Sequence, residues 1–142
     1  MTNSSINILL VEDNPAHQKI TEYVLKKNNV GGKLFIVHDG QEVLDYLFHC
    51  GAGANQEQYP IPNLILLDFN LPKYDGKEVL KIIKGDPGLK NIPVVIVSTS
   101  DREEDVNYAF QHGAAAYISK AIGFDKFNAE LARVLQFARS SS

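Results

Sequence analysis

Three tetrapeptides of unbroken apolar residues limit what this chain can fold into: Ile8-Leu9-Leu10-Val11, Leu64-Ile65-Leu66-Leu67 and Val94-Val95-Ile96-Val97. A strand with one wet face alternates apolar and polar residues, whereas a strand covered on both faces need not. Each run is short and is followed at once by polar or turn-forming residues, as a buried strand would be. The segments between them carry apolar residues at helical spacing. A parallel sheet with helices on both faces satisfies both patterns. The full order is five strands alternating with five helices, which predicts a doubly wound (βα)5 α/β sandwich.

In chain order, Asn14 and Pro15 suit an N-cap and first helical residue. That helix is expected to run to about Lys27, with Ala16, Ile20, Tyr23 and Val24 on its inner face, and to stop at Asn28, Asn29, Gly31 and Gly32. Leu34 to Val37 reads as a short strand, and Asp39 caps a helix to about Phe48 with Val43, Leu44 and Leu47 inward. The stretch GAGANQEQYPIP at 51–62 loses all periodicity. It is longer than a usual helix-to-strand link and reads as a tolerated surface insertion. Lys77 to Lys84 forms a helix with Val79, Leu80 and Ile83 inward, closed by Gly85-Asp86-Pro87-Gly88. Asp101 is expected to open the fourth helix, with Val106, Ala109 and Phe110 inward, and His112-Gly113 to end it. Ala115 to Ser119 is the fifth strand. Phe124, Phe127, Leu131, Val134, Leu135 and Ala138 stripe the last helix, while Tyr108 and Phe137 fall off the stripes and read as exposed dimer contacts.

At 142 residues, one domain spanning 1–142 with its core at about 7–138 is expected. A net charge of −3 argues against a nucleic-acid surface. The single cysteine, Cys50, allows no internal disulfide and reads as a small, partly buried thiol. The start MTNSS lacks the flanks of a signal peptide, and no apolar run reaches the ~20 residues of a membrane span, so a cytoplasmic location is expected.

The strand ends carry the chemistry. Glu12-Asp13, Asp68, Ser98 and Lys120 each follow a strand, and a parallel sheet gathers such ends at its carboxyl edge, where ligands bind. Three carboxylates there repel one another, so they need a cation or one must stay protonated. Oxygen donors with room for water suit Mg²⁺ rather than zinc. His17, His38, His49 and His112 show no ligand spacing and read as ordinary surface or edge histidines. A carboxylate beside Mg²⁺, an ammonium and a hydroxyl is suited to accepting a phosphoryl group, which predicts an aspartyl phosphate.

These residues stand in LLVEDN at 9–14, LLDFNLPKYDG at 66–76, VVIVSTS at 94–100 and GAAAYISK at 113–120. The four motifs in this order resemble the receiver domains of two-component response regulators, from about Asn7 to Ala138. The resemblance implies a flavodoxin-like strand order 2-1-3-4-5. It implies that Asp68 is the phosphoacceptor, that Asp13 binds Mg²⁺ directly and Glu12 through water, and that the Asn70 carbonyl completes the protein ligands. Lys120 would bind the phosphoryl group, Ser98 would move toward it, and Tyr117 would turn inward as Ser98 moves. Asn70 and Ser100 fall at positions that tune phosphoryl lifetime, and Pro72 and Gly76 shape the loop. One departure is Ala121, where the family usually has proline, often with a cis peptide; this leaves the loop Ala121-Ile122-Gly123 open.

The resemblance further implies a stand-alone switch with no output domain. It would take its phosphoryl group from a histidine kinase, assist its own dephosphorylation and signal to a downstream protein. The segments NPAHQKITEYVL and IPVVIVSTSDREEDV, with the 51–62 insertion, are similar to regulators serving phytochrome-type kinases, which are often homodimers. A dimer would use the surface of the fourth helix, fifth strand and fifth helix. Two rivals are a phosphatase of haloacid-dehalogenase type, which generally wants an Asp where Asn70 stands, and a degenerate receiver that only binds partners.

Overall fold

The computed structural model describes residues 6–28, 32–50, 59–71 and 75–141, with 139–141 placed as backbone. Five strands, β1 (Ile8–Val11), β2 (Leu34–Val37), β3 (Leu64–Leu67), β4 (Val94–Ser98) and β5 (Ala116–Ser119), pair in parallel in the order β2-β1-β3-β4-β5. Between and after them run α1 (Pro15–Lys27), α2 (Gly40–His49), α3 (Gly76–Gly85), α4 (Glu103–Gln111) and α5 (Phe124–Ser141). The flavodoxin-like order expected from the sequence is the one observed.

The unbroken apolar runs serve two cores at once. Leu9, Val11, Ile65, Leu67, Val94 and Ile96 pack with Val43, Leu44, Leu47, Val79, Leu80, Ile83 and Ala109 on the α2–α3–α4 side. Their alternate neighbours Ile8, Leu10, Leu64, Leu66, Val95 and Val97 pack with Val24, Leu25, Leu131, Leu135 and Ala138 on the α1–α5 side. Successive strand side chains point to opposite faces, so burial on both faces leaves no polar position in the run. The helix starts are set locally. Asn14 accepts from the Ala16 and His17 amides, Asp39 from Glu42 N and Asp75 from Lys77 N.

Several expectations about helix faces are corrected. Ile20 and Tyr23 are 42% and 56% exposed, and the buried stripe of α1 is Thr21, Val24 and Leu25. Both stripes contain Val24; the one that packs against β1 and α5 is rotated from the one expected. Phe110 is likewise exposed, because Asp105 and Ala109, four residues apart, occupy the inner face of α4. That helix starts at Glu103 rather than Asp101, with Arg102 at the N-cap position. Phe124 lies exposed at the start of α5. Tyr108 is not a free surface aromatic: it is half-buried, and its hydroxyl donates to the Lys77 carbonyl at 3.1 Å.

Asn29, Gly31, Pro72 and positions 51–58 lie outside the described residues. The far end of the insertion is tied down, since the Tyr46 hydroxyl donates to the Pro60 carbonyl at 2.8 Å and its ring meets Tyr59. Half-buried Cys50 donates to the Leu47 carbonyl, and burial pushes its thiol pKa up, away from thiolate chemistry. Among the described residues, no helix is long and apolar enough to cross a membrane.

Candidate functional site

Strand register assembles the site. Val11 pairs with Leu67, so the residues that follow them, Glu12-Asp13 and Asp68, leave the sheet side by side. Ser98 pairs with Ser119, which sends Lys120 out at the same edge. Glu12 and Asp68 are 2% and 5% exposed, whereas Asp13 faces solvent at the mouth. One carboxylate oxygen from each of the three lies within 4.8 Å of the others.

Lys120 spans this group. Its ammonium donates to Asp68 Oδ2 at 3.0 Å and to Glu12 Oε1. The other oxygens are held by the backbone, Asp68 Oδ1 by the Asn70 amide at 2.9 Å and Glu12 Oε2 by the Asn14 amide at 3.2 Å. Burial raises the Glu12 pKa, and its bond to Lys120 opposes that rise. Three carboxylates against one ammonium leave the ionised cluster with an excess of negative charge, and the donors are all hard oxygens. Glu12, Asp13 and Asp68 therefore fit a divalent cation such as Mg²⁺ or Mn²⁺.

Ser98, fully buried, accepts a hydrogen bond on Oγ from the Ser100 amide at 3.1 Å. Tyr117 is half-buried, its ring edge on Phe69 with centroids 6.1 Å apart, and its hydroxyl donates to the Ser100 carbonyl at 2.6 Å. The hydroxyl-bearing loop is thus tied directly to the aromatic residue expected to move with it. On the other side, residues 120–122 form a single 3₁₀ turn after β5. The Ala121 amide donates to Ser119 Oγ at 3.1 Å, a bond proline could not make. Among the described residues no peptide bond is cis. The turn left open by Ala121 therefore has its own local anchor, and Lys120 still reaches both carboxylates. Gly76 shapes the loop as expected: a Cβ there would fall 2.3 Å from the Asp68 carbonyl oxygen.

Two features escaped the sequence reading. The first is His17, expected to be an ordinary surface histidine. Its Nδ1 lies 3.1 Å from the Lys120 ammonium and 4.0 Å from Glu12 Oε2. Desolvation and then the positive charge of Lys120 lower its pKa. Its one legible signal was position: counted from the Asn14 cap, it is the third residue of α1 and so sits beside Glu12. The second is Asp105, a buried carboxylate on α4 that binds Lys77, Ser100 and Arg102. Nothing in its local pattern marks it out. The other histidines match expectation, His38 beside Glu42, His49 against the Asp45 carbonyl and His112 against the Tyr108 carbonyl.

The family model for the response regulator receiver domain matches residues 8–132, a span that contains every residue of the site. Response regulator Rcp1 of Synechocystis sp. is 44% identical over 114 residues, covering 80% of this chain and 76% of that protein. The crystal structure of the Mn²⁺-bound form of Rcp1 superposes with a TM-score of 0.81 at 38% identity, covering 93% of each chain. That of the phosphorylated cyanobacterial phytochrome response regulator RcpA gives 0.84 at 37% identity, covering 97% of this chain and 96% of the other. With the family model covering most of the chain and the solved relatives superposing over nearly their whole length, the chain belongs to the response regulator receiver family and is related to phytochrome response regulators.

Proposed function

We propose that Asp68 accepts a phosphoryl group from the phosphohistidine of a histidine kinase. An Asp68 oxygen attacks phosphorus, an O–P bond forms, the P–N bond breaks, and the imidazole leaves with the electron pair. The observation that carries this reading is the Lys120 ammonium held between Asp68 and Glu12 at the carboxyl edge. It sits where it can neutralise a phosphoryl oxygen while remaining anchored on Glu12. A Mg²⁺ ion bound by Glu12, Asp13, Asp68 and the Asn70 carbonyl would supply charge neutralisation for the remaining phosphoryl oxygens. The Mn²⁺-bound form of Rcp1 supports a divalent ion in this class of site.

The added charge is read out by the β4–α4 loop. Ser98 turns its hydroxyl toward the phosphoryl group, which disturbs the Ser100 backbone that Tyr117 holds, and Tyr117 then settles inward. Asn70 and Ser100, flanking the acceptor and the hydroxyl, set how fast water removes the phosphoryl group. The likeness to Rcp1 and RcpA supports a phytochrome-type kinase as donor. Exposed Phe110 and Phe137, on α4 and α5, support a homodimer through the α4–β5–α5 face, from which a downstream protein is addressed. As a receiver the protein is a phosphoacceptor rather than a turnover enzyme, and Asn70 stands where a phosphatase of haloacid-dehalogenase type would need its acid/base.

Incubation with acetyl phosphate and Mg²⁺ should label the wild type and leave Asp68→Asn unlabelled, as read by intact-protein mass spectrometry. Equal labelling of the two would overturn the assignment.

A further inference from the structure

We propose that His17 is a positioning residue for Lys120: its neutral ring accepts the third hydrogen bond of the ammonium and holds that group for the incoming phosphoryl oxygen. The inference rests on the phosphoacceptor reading of the site and adds a residue to it. A lysine ammonium has three N–H donors and no acceptor. Here the three have three partners: Asp68 Oδ2, Glu12 Oε1 and His17 Nδ1. A nitrogen facing an ammonium at 3.1 Å must present its lone pair, which places the ring proton on Nε2.

The sequence holds the ring in place. The Asn14 side chain accepts from the Ala16 and His17 amides, and the Asn14 amide in turn binds Glu12 Oε2. One cap thus fixes both the Glu12 carboxylate and the backbone that carries His17. The ring also forms part of the wall, with Ile20, Thr21, Phe124 and Phe127, of a cavity of about 150 Å³ against Lys120.

The three contacts are not equivalent once Asp68 is phosphorylated. Its carboxylate becomes an uncharged acyl group of a mixed anhydride, a poorer acceptor, and the Lys120 donor that it held turns to a phosphoryl oxygen. Glu12 and His17 keep the other two donors and so limit where the ammonium can go. Without His17 the third donor turns to water, and Lys120 is held from one side alone.

The test uses the full chain and two variants, His17→Leu, which keeps bulk and loses the acceptor, and His17→Gln, which keeps an acceptor. In the metal-free wild type, nitrogen-15 NMR of the His17 ring should show Nε2 protonated and Nδ1 as the acceptor; the opposite tautomer overturns the proposal. Affinity for beryllofluoride at saturating Mg²⁺, read by fluorine NMR, should fall about tenfold in His17→Leu and be largely restored in His17→Gln. Mg²⁺ affinity from calorimetry and the melting temperature should stay near wild type in both. Unchanged beryllofluoride binding in His17→Leu, equal losses in the two variants, or a parallel loss of Mg²⁺ affinity would each overturn it. Failure of the wild type to bind beryllofluoride at all would instead count against the phosphoacceptor reading, which the ring tautomer does not depend on.

Discussion

At the scale of single residues, two glycines of one helix have opposite reasons for being there. Gly76 opens α3 directly over the end of β3, and a Cβ would meet the Asp68 carbonyl oxygen at 2.3 Å and Phe69 Cα at 2.5 Å. These are backbone atoms of Asp68 and its neighbour just past β3, so they cannot yield without moving Asp68. Gly85, at the other end of α3, has nothing within 4 Å of its Cβ position. Gly76→Ala is expected to cost about 1–3 kcal/mol in urea unfolding and to slow acetyl phosphate labelling. Gly85→Ala is expected to be neutral or to stabilise by up to ~1 kcal/mol, with labelling unchanged. The Gly76 constraint was only partly legible, since LPKYDG announces a turn but not what the turn lies against. Ala121 is a different case: its missing proline raised a question that a local cap, the Ser119 Oγ two residues back, answers.

At the scale of elements, α4 is fastened to α3 and to the β4–α4 loop through one carboxylate. Asp105 Oδ1 meets the Lys77 ammonium at 2.5 Å, while Oδ2 accepts from Ser100 Oγ at 2.5 Å and from Arg102 Nη2 at 3.0 Å. The Lys77 bond, then the Ser100 bond, hold the Asp105 pKa down at about 2. A carboxylate whose folded pKa lies below its unfolded value stabilises the fold above the unfolded pKa. That contribution is lost as pH falls through the folded one. The loss is therefore expected between about pH 4 and pH 2 and amounts to about 2 kcal/mol. Urea unfolding across that window should show the drop in wild type and a flatter profile in Asp105→Asn; parallel profiles would show that the carboxylate contributes nothing. Because Ser100 also receives the Tyr117 hydroxyl, loosening Asp105 should alter the Tyr117 ring environment as well. Helix periodicity could not find this network. It marked Phe110 for the interior, whereas charge pairing with α3 brought the polar Asp105 inward and left Phe110 outside.

At the scale of the whole molecule, the α4–β5–α5 side carries the exposed aromatic residues Phe110 and Phe137. Beside Phe110 and Phe137 runs a groove of about 400 Å³ lined by Val95, Tyr117, Ile118 and Val134 among others. Tyr117 belongs to both this groove and the Ser100 contact, so phosphorylation and association on this face are expected to be coupled. Sedimentation velocity with and without beryllofluoride should show a dimer whose population changes with the mimic, and Phe137→Ser should shift the chain toward monomer. A monomer in every condition would remove the dimer proposal.

What the sequence determined by itself was the architecture and the edge where Glu12, Asp13, Asp68 and Lys120 meet. Unbroken apolar runs can be satisfied only by burial on both faces, and parallel strands must deliver the residues that follow them to one edge. Glu12, Asp13, Asp68 and Lys120 could therefore be placed together from their positions after the strands. Tertiary structure decided which face of each helix turned inward, because stripes such as Ile20–Tyr23–Val24 and Thr21–Val24–Leu25 differ by less than packing can override. It also decided the contacts of His17 and Asp105. His17 meets Lys120 across 103 residues and Asp105 meets Lys77 on another helix, and no local pattern encodes either pairing.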